Sequence, residues 1–170
     1  QRPSTRVVTA LWAATVLAAI TEAALSLVAR GNLAHGDLAS QLALAVSIAA
    51  YSTLGALIVR RAGNAIGWIM LAAGAAQAFL TIASIYAVIG LATFPGSLPA
   101  PRQVGTLAEC SFPAVVFTVA FMFLLFPTGT LPSRRWRPAA AAGLALAALT
   151  TAGLVVHPRL VALIAPAGPR

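Results

Sequence analysis

From the N-terminus onward, long apolar runs alternate with short polar connectors, and within the runs polar residues do not fall at every second position. The runs cover 7–29, 41–59, 65–89, 106–126 and 139–156. A hydrocarbon core of ~30 Å takes about 20 helical residues to cross, and each run is of that order. The alternation that a membrane β-barrel needs is absent from all five. Inside lipid the backbone must satisfy its own hydrogen bonds, which leaves the α-helix. The pattern predicts an all-α integral membrane protein, a five-helix transmembrane bundle with short connectors, forming one domain over 1–170.

The connectors carry the punctuation this reading requires. Arg30-Gly31-Asn32 closes the first helix, and the Asn64 side chain is placed to cap the third. Pro95, Pro99 and Pro101 are expected to keep the third connector extended. Pro113 predicts a kink in the fourth helix, because it removes one backbone bond and crowds the preceding turn. Pro127 is expected to end that helix, with Thr128-Gly129 turning the chain and Leu131-Pro132 dipping back toward the acyl region. Pro138 falls in the first turn of the fifth helix, where its missing N–H costs nothing. Gly63 and Gly67 match the GxxxG close-packing motif, a weak signal in a chain this rich in alanine, and one that straddles a helix start.

Composition narrows the class further. Only 8% of residues are charged and 60% are apolar, whereas soluble domains carry about 25% charge. A mean hydropathy of +0.92 excludes a water-soluble fold. The net charge is +8, and all eleven basic residues are arginine. A pI near 11.8 would ordinarily raise nucleic acid as a partner. Here the arginines lie in connectors between apolar runs, so membrane orientation explains them and no nucleic-acid partner is expected. Cys110 stands alone, which excludes a disulfide framework or a cysteine-based metal site. The chain opens on Gln1 and is expected to be a piece of a longer protein. Its first apolar run is too long for the core of a signal peptide.

Arginine placement sets the expected orientation. With the N-terminus in the cytoplasm, Arg2, Arg6, Arg60, Arg61, Arg134, Arg135 and Arg137 lie inside, against Arg30, Arg102, Arg159 and Arg170 outside. The inner connectors also hold them as tight clusters, so the positive-inside rule favours this arrangement. Arg60, Arg61, Arg134, Arg135 and Arg137 then meet anionic headgroups at the cytoplasmic face of the membrane, with Trp136 in the interfacial belt. The cluster reads as a topology anchor, or as a docking site for a lipid or partner. Five spans place the C-terminal tail, 157–170, outside. Its apolar core at 160–165 is too short to span, so the parent chain is expected to run through an odd number of further helices, most simply one.

Two segments resemble a known family. RRAGNAIGWIM (60–70) and LLFPTGTLPSRRWRPA (124–139) resemble the RRPGNPIGWLLL-type and LLFPDGRLPSRRWRPV-type segments in the N-terminal membrane regions of actinobacterial sensor histidine kinases. Ala62, Ala65 and Thr130 depart from that pattern. The resemblance covers about residues 50–157 and implies a multi-span membrane module ahead of cytoplasmic signalling domains, with a homodimer through the parent kinase as partner. Such regions also occur without a kinase, and a transporter fragment or a stand-alone multi-span protein is the alternative.

Catalytic chemistry is not expected in this segment. His35 precedes glycine and His157 precedes proline, both on the outer side, which does not suit a phospho-acceptor histidine. A P-loop lysine, a GxSxG elbow and an HExxH helix are all missing, and no cofactor is called for. The residues that invite a role are polar ones inside spans: Glu22 and Glu109 in the outer leaflet, with Glu109 about one turn into its helix, and Gln77 near mid-span. A carboxylate at the bilayer centre costs about 2.5–3.5 kcal/mol on insertion scales, so such groups usually face protein. The functional reading is an outward-open polar pocket of Glu22, Gln77, Tyr86 and Glu109 with His157 at its rim. The alternative is that each carboxylate is protonated or reaches headgroups by itself.

Overall fold

A computed structural model of the chain describes residues 5–33, 38–125, 130–131 and 133–156. Five α-helices follow one another: α1 (Thr5–Ala29), α2 (Leu38–Ala62), α3 (Ala65–Val88), α4 (Pro101–Leu125) and α5 (Arg137–Val156). A π-helical turn, Ile89–Thr93, extends α3, and a 3₁₀ turn, Arg134–Trp136, leads into α5. No strand occurs among the described residues. Helices α1, α2, α3 with its π extension, and α4 are long and apolar enough to cross a membrane.

The expected ends hold, with instructive shifts. Asn64 caps α3, its side chain accepting from the Ile66 N–H at 3.1 Å, and Asn32 N–H closes α1 on the Ala29 carbonyl at 2.8 Å. Pro101 departs from the expectation. It is the first residue of α4, because a proline at that position sacrifices a donor that has no partner in any helix. α4 therefore starts five residues before the apolar run, and Glu109 lies more than two turns inside it, deeper than the apolar boundary suggested. Pro113 lies within α4, which continues helical to Leu125. The proposed stop at Pro127, the turn at Thr128-Gly129, Pro132, and the tail with His157 lie outside the described residues.

Burial runs opposite to that of a soluble bundle. The buried positions of α1 are Val8, Thr15, Ala19, Glu22, Ser26 and Ala29, a stripe with spacings of three, four and seven. Small and polar side chains fill that stripe, while Leu17 and Ile20 are more than 60% exposed. Large apolar side chains turned outward are what a lipid solvent accepts, and small ones turned inward let backbones approach. Most hydroxyls in the helices satisfy themselves on the carbonyl four residues back, as Thr15 does on Leu11 and Ser52 on Ile48.

Three apolar layers define the packing of α1, α2 and α3. One end holds Val8, Ala56, Val59 and Leu71, with Trp12 and Trp68 against them. The middle holds Ala19, Ile48 and Ala78. The far end holds Ala29, Ile85 and Ile89. Consecutive helices are thus antiparallel, and Arg60, Arg61 and the N-terminus of α3 share the first end, called here the arginine end. The α2–α3 seam is the tightest. A Cβ added to Gly67 would lie 2.7 Å from the Val59 backbone nitrogen and 2.8 Å from the Gly55 carbonyl oxygen. Gly63, by contrast, sits between the helices at φ +62, where its role is conformational. The GxxxG match is therefore no single packing face, and Gly67 pairs instead with Gly55.

α3 is the hub. It packs against α1, α2 and α4, whereas α4 packs on α3 and α5 and makes no helix contact with α1 or α2. Two grooves result, one on each side of the α3–α4 contact.

Candidate functional site

The groove between α2 and α4, floored by α3, gathers polar side chains from all three helices, among them the buried Gln41 and Thr81. Toward the end away from the arginines it opens into a cavity of about 440 Å³ lined by Gln41 and Leu44 of α2, Gln77, Thr81 and Ser84 of α3, and Glu109 and Phe112 of α4. Toward the arginine end it narrows to about 210 Å³ among Leu44, Ser47, Tyr51, Gln77, Val115 and Val119. Leu44 and Gln77 line both compartments, so the two adjoin. One compartment is polar with a carboxylate, and the other is almost wholly apolar.

Helical geometry explains this selection. Gln77, Thr81, Ser84 and Val88 recur at spacings of four, three and four along α3, which puts them on one face. Thr81 keeps its hydroxyl on the Gln77 and Ala78 carbonyls. Among the described residues no arginine lines the polar compartment, and Glu109 is the one acidic side chain in its lining.

The four residues expected to share a pocket are divided among three places. Gln77 and Glu109 do meet in the α2–α4 groove. Tyr86 is separated from Gln77 by nine residues, about two and a half helical turns, and so faces the opposite way. It lines the other groove, with Leu11, Thr15, Phe79 and Val104, and its hydroxyl donates to the Pro99 carbonyl at 2.9 Å. That bond ties the α3–α4 connector back onto α3. Gly90 permits the fold-back, since a Cβ there would lie 2.8 Å from Pro101 Cβ.

Glu22 is outside both grooves. It is fully buried in the stripe of α1 that meets α2 and α3, between the Ala19–Ile48–Ala78 layer and the Ala29–Ile85–Ile89 layer. Ser26, one turn along and also fully buried, donates to Glu22 Oε1 at 3.2 Å. That hydroxyl has left the usual carbonyl four residues back to serve the carboxylate. Glu22 Oε2 is buried and has no hydrogen-bond partner among the described residues.

At the arginine end, Arg60, Arg61, Arg134, Arg135 and Arg137 are exposed, and Trp136 is half-exposed. Arg60 and Arg61 occupy the last turn of α2, where positive charge complements the helix dipole. Arg60 also donates to the Thr9 hydroxyl of α1, and the Trp12 indole N–H donates to the Thr53 hydroxyl at 3.0 Å. Arg60 is thus partly spent on joining α1 to α2.

Reading the sequence missed Ser26, Gln41, Thr81 and Ser84. Ser26 was signalled by its i+4 spacing from Glu22, and Thr81 and Ser84 by their spacing from Gln77. Gln41 looked like a span boundary because α2 begins three residues earlier than its apolar run. Among the described residues no group of histidine, cysteine, aspartate or glutamate side chains could hold a metal ion. No protein family, curated protein or solved structure compared with the chain matches it.

Proposed function

We propose that the chain is the non-catalytic sensor or anchor module of a bacterial two-component sensor histidine kinase, seated in the plasma membrane with its N-terminus in the cytoplasm. The observation that carries this reading is the division of labour between the two ends of the bundle. The segments that resemble the kinase family adjoin the exposed arginines at one end, and the polar groove lies within the helices toward the other. A stimulus would enter from the membrane and be passed to the arginine end through the packed α1–α2–α3 layers. α5, with 20 residues and so a length of about 30 Å, serves as the fifth span in this scheme.

Topology is tested by labelling. In a Cys110→Ala background, cysteines placed at 62 and 133 should react only from the cytoplasm, and one at 97 only from outside. The reverse pattern overturns the orientation. The kinase assignment is tested on the parent protein: autophosphorylation should respond to changes in the groove. A parent that encodes no phospho-acceptor and ATP-binding region on the cytoplasmic side overturns it.

A transporter fragment is the second reading, favoured by the buried Glu22 carboxylate, since intramembrane acids often lie on ion pathways. Solute or proton flux in proteoliposomes that is lost in Glu22→Gln would support it over the sensor.

A further inference from the structure

We infer that the α2–α4 groove binds an amphiphile with an ammonium head and a single apolar tail, taken from the surrounding lipid phase. Neither compartment alone offers both the charge and the apolar volume that such a ligand needs. The polar compartment presents one carboxylate, Glu109, with the side chains of Gln41, Gln77 and Ser84 and no balancing cation among its lining residues. A carboxylate set among leucines and a phenylalanine is best matched by a ligand that brings its own positive charge. An anionic head would meet Glu109 with like charge and find no arginine.

The apolar volume lies further along the groove. Beyond Leu44 and Gln77, which line both compartments, lies the one walled by Tyr51, Val115 and Val119. These residues lie deeper along the helices toward the arginine end, because Val115 and Val119 follow Glu109 along α4 by six and ten residues, about 9 and 15 Å of rise. A medium-length alkyl chain extends over a comparable distance and would lie parallel to the helices. Its head would be held at Glu109, and its tail would run on along the helices toward the arginine end. α2 and α4 pack on α3 and not on each other, which makes the gap between them the route for lateral entry. Small water-soluble ammonium ions satisfy the head but leave the apolar compartment unused, and they are not the expected ligands.

The inference deepens the sensor reading, on which its signalling meaning rests. Binding itself is measured on the isolated chain, so the two can fail separately. The probe is a dodecyltrimethylammonium carrying a diazirine on its alkyl chain, photolysed with the purified chain in uncharged maltoside micelles and mapped by mass spectrometry. Adducts are expected on Leu44, Tyr51, Val115 or Val119. Glu109→Gln should lower their yield about tenfold, and a matched diazirine fatty acid should label these residues no better than that variant. Val115→Trp, which leaves Glu109 in place and fills the tail compartment, should lower the yield comparably. Excess dodecyltrimethylammonium should compete, and choline should not. Circular dichroism checks that each variant retains its helices. Equal labelling by the fatty acid, an unchanged yield in Glu109→Gln, competition by choline, or adducts confined to the outer surfaces of α1 and α5 would each overturn the proposal.

Discussion

Replacing Gly67 by alanine tests the α2–α3 seam, on which the position of the groove depends. In an exposed helix interior, glycine to alanine gains about 1 kcal/mol of helix preference. At Gly67 the new Cβ would meet the Val59 nitrogen and the Gly55 oxygen at 2.7 and 2.8 Å, against an ordinary separation of about 3.5 Å. Both obstacles are backbone, so neither can rotate aside, and the helices must part by roughly 0.7 Å. A gap of that size forfeits a quarter to a half of the dispersion along the facing surfaces. Overpacking of this kind costs about 2–3 kcal/mol, and subtracting the helix preference leaves a net loss of about 1–2 kcal/mol. The control is Gly143→Ala in α5, whose Cβ would meet only the Phe121 ring at 3.6 Å. There the helix preference acts alone, and stability should rise by up to about 1 kcal/mol. Unfolding from maltoside into SDS can be followed by tryptophan fluorescence, since Trp12 and Trp68 both pack on the Val8–Ala56–Val59–Leu71 cluster beside the seam. A Gly67→Ala protein as stable as its parent, alongside the expected Gly143→Ala result, would refute the close approach of α2 and α3.

Glu22→Leu should stabilise the bundle by about 1–3 kcal/mol in the same assay, because it removes a buried oxygen that lacks a partner. Ser26 can then return to the carbonyl of residue 22, as other hydroxyls here do; a loss of stability would show that the carboxylate is better satisfied than described. Tyr86→Phe should cost about 1 kcal/mol and raise proteolysis or hydrogen exchange in the 94–100 connector while leaving labelling in the α2–α4 groove unchanged; altered labelling would mean that the two grooves are coupled. Replacing Arg134, Arg135 and Arg137 together with glutamine should weaken correct insertion of the last two helices, each arginine contributing about 1 kcal/mol at an anionic surface. Normal insertion with lost signalling in the parent would favour docking over anchoring.

The helices, their approximate ends and their fitness to cross a membrane were legible in the amino-acid order. These are local or additive properties: run length and hydropathy decide what can cross a bilayer, and residues such as Asn64 and Asn32 close helix ends through groups a few positions away. The amino-acid order also isolated Glu22, Gln77 and Glu109 as the polar side chains worth watching. Their grouping was only half legible. Helical periodicity alone separates Tyr86 from Gln77 and joins Ser26 to Glu22, but periodicity says nothing of which face meets which helix. In a lipid solvent the outward face is as apolar as the interior, so the contrast that marks the core of a soluble bundle is lost, and small residues such as Gly55, Gly67 and Ala19 decide where backbones meet. Packing in three dimensions placed α4 on α3 and away from α2. That choice opens the groove, brings Glu109 to Gln77 and Gln41 from three helices, and leaves Glu22 sealed in a different seam.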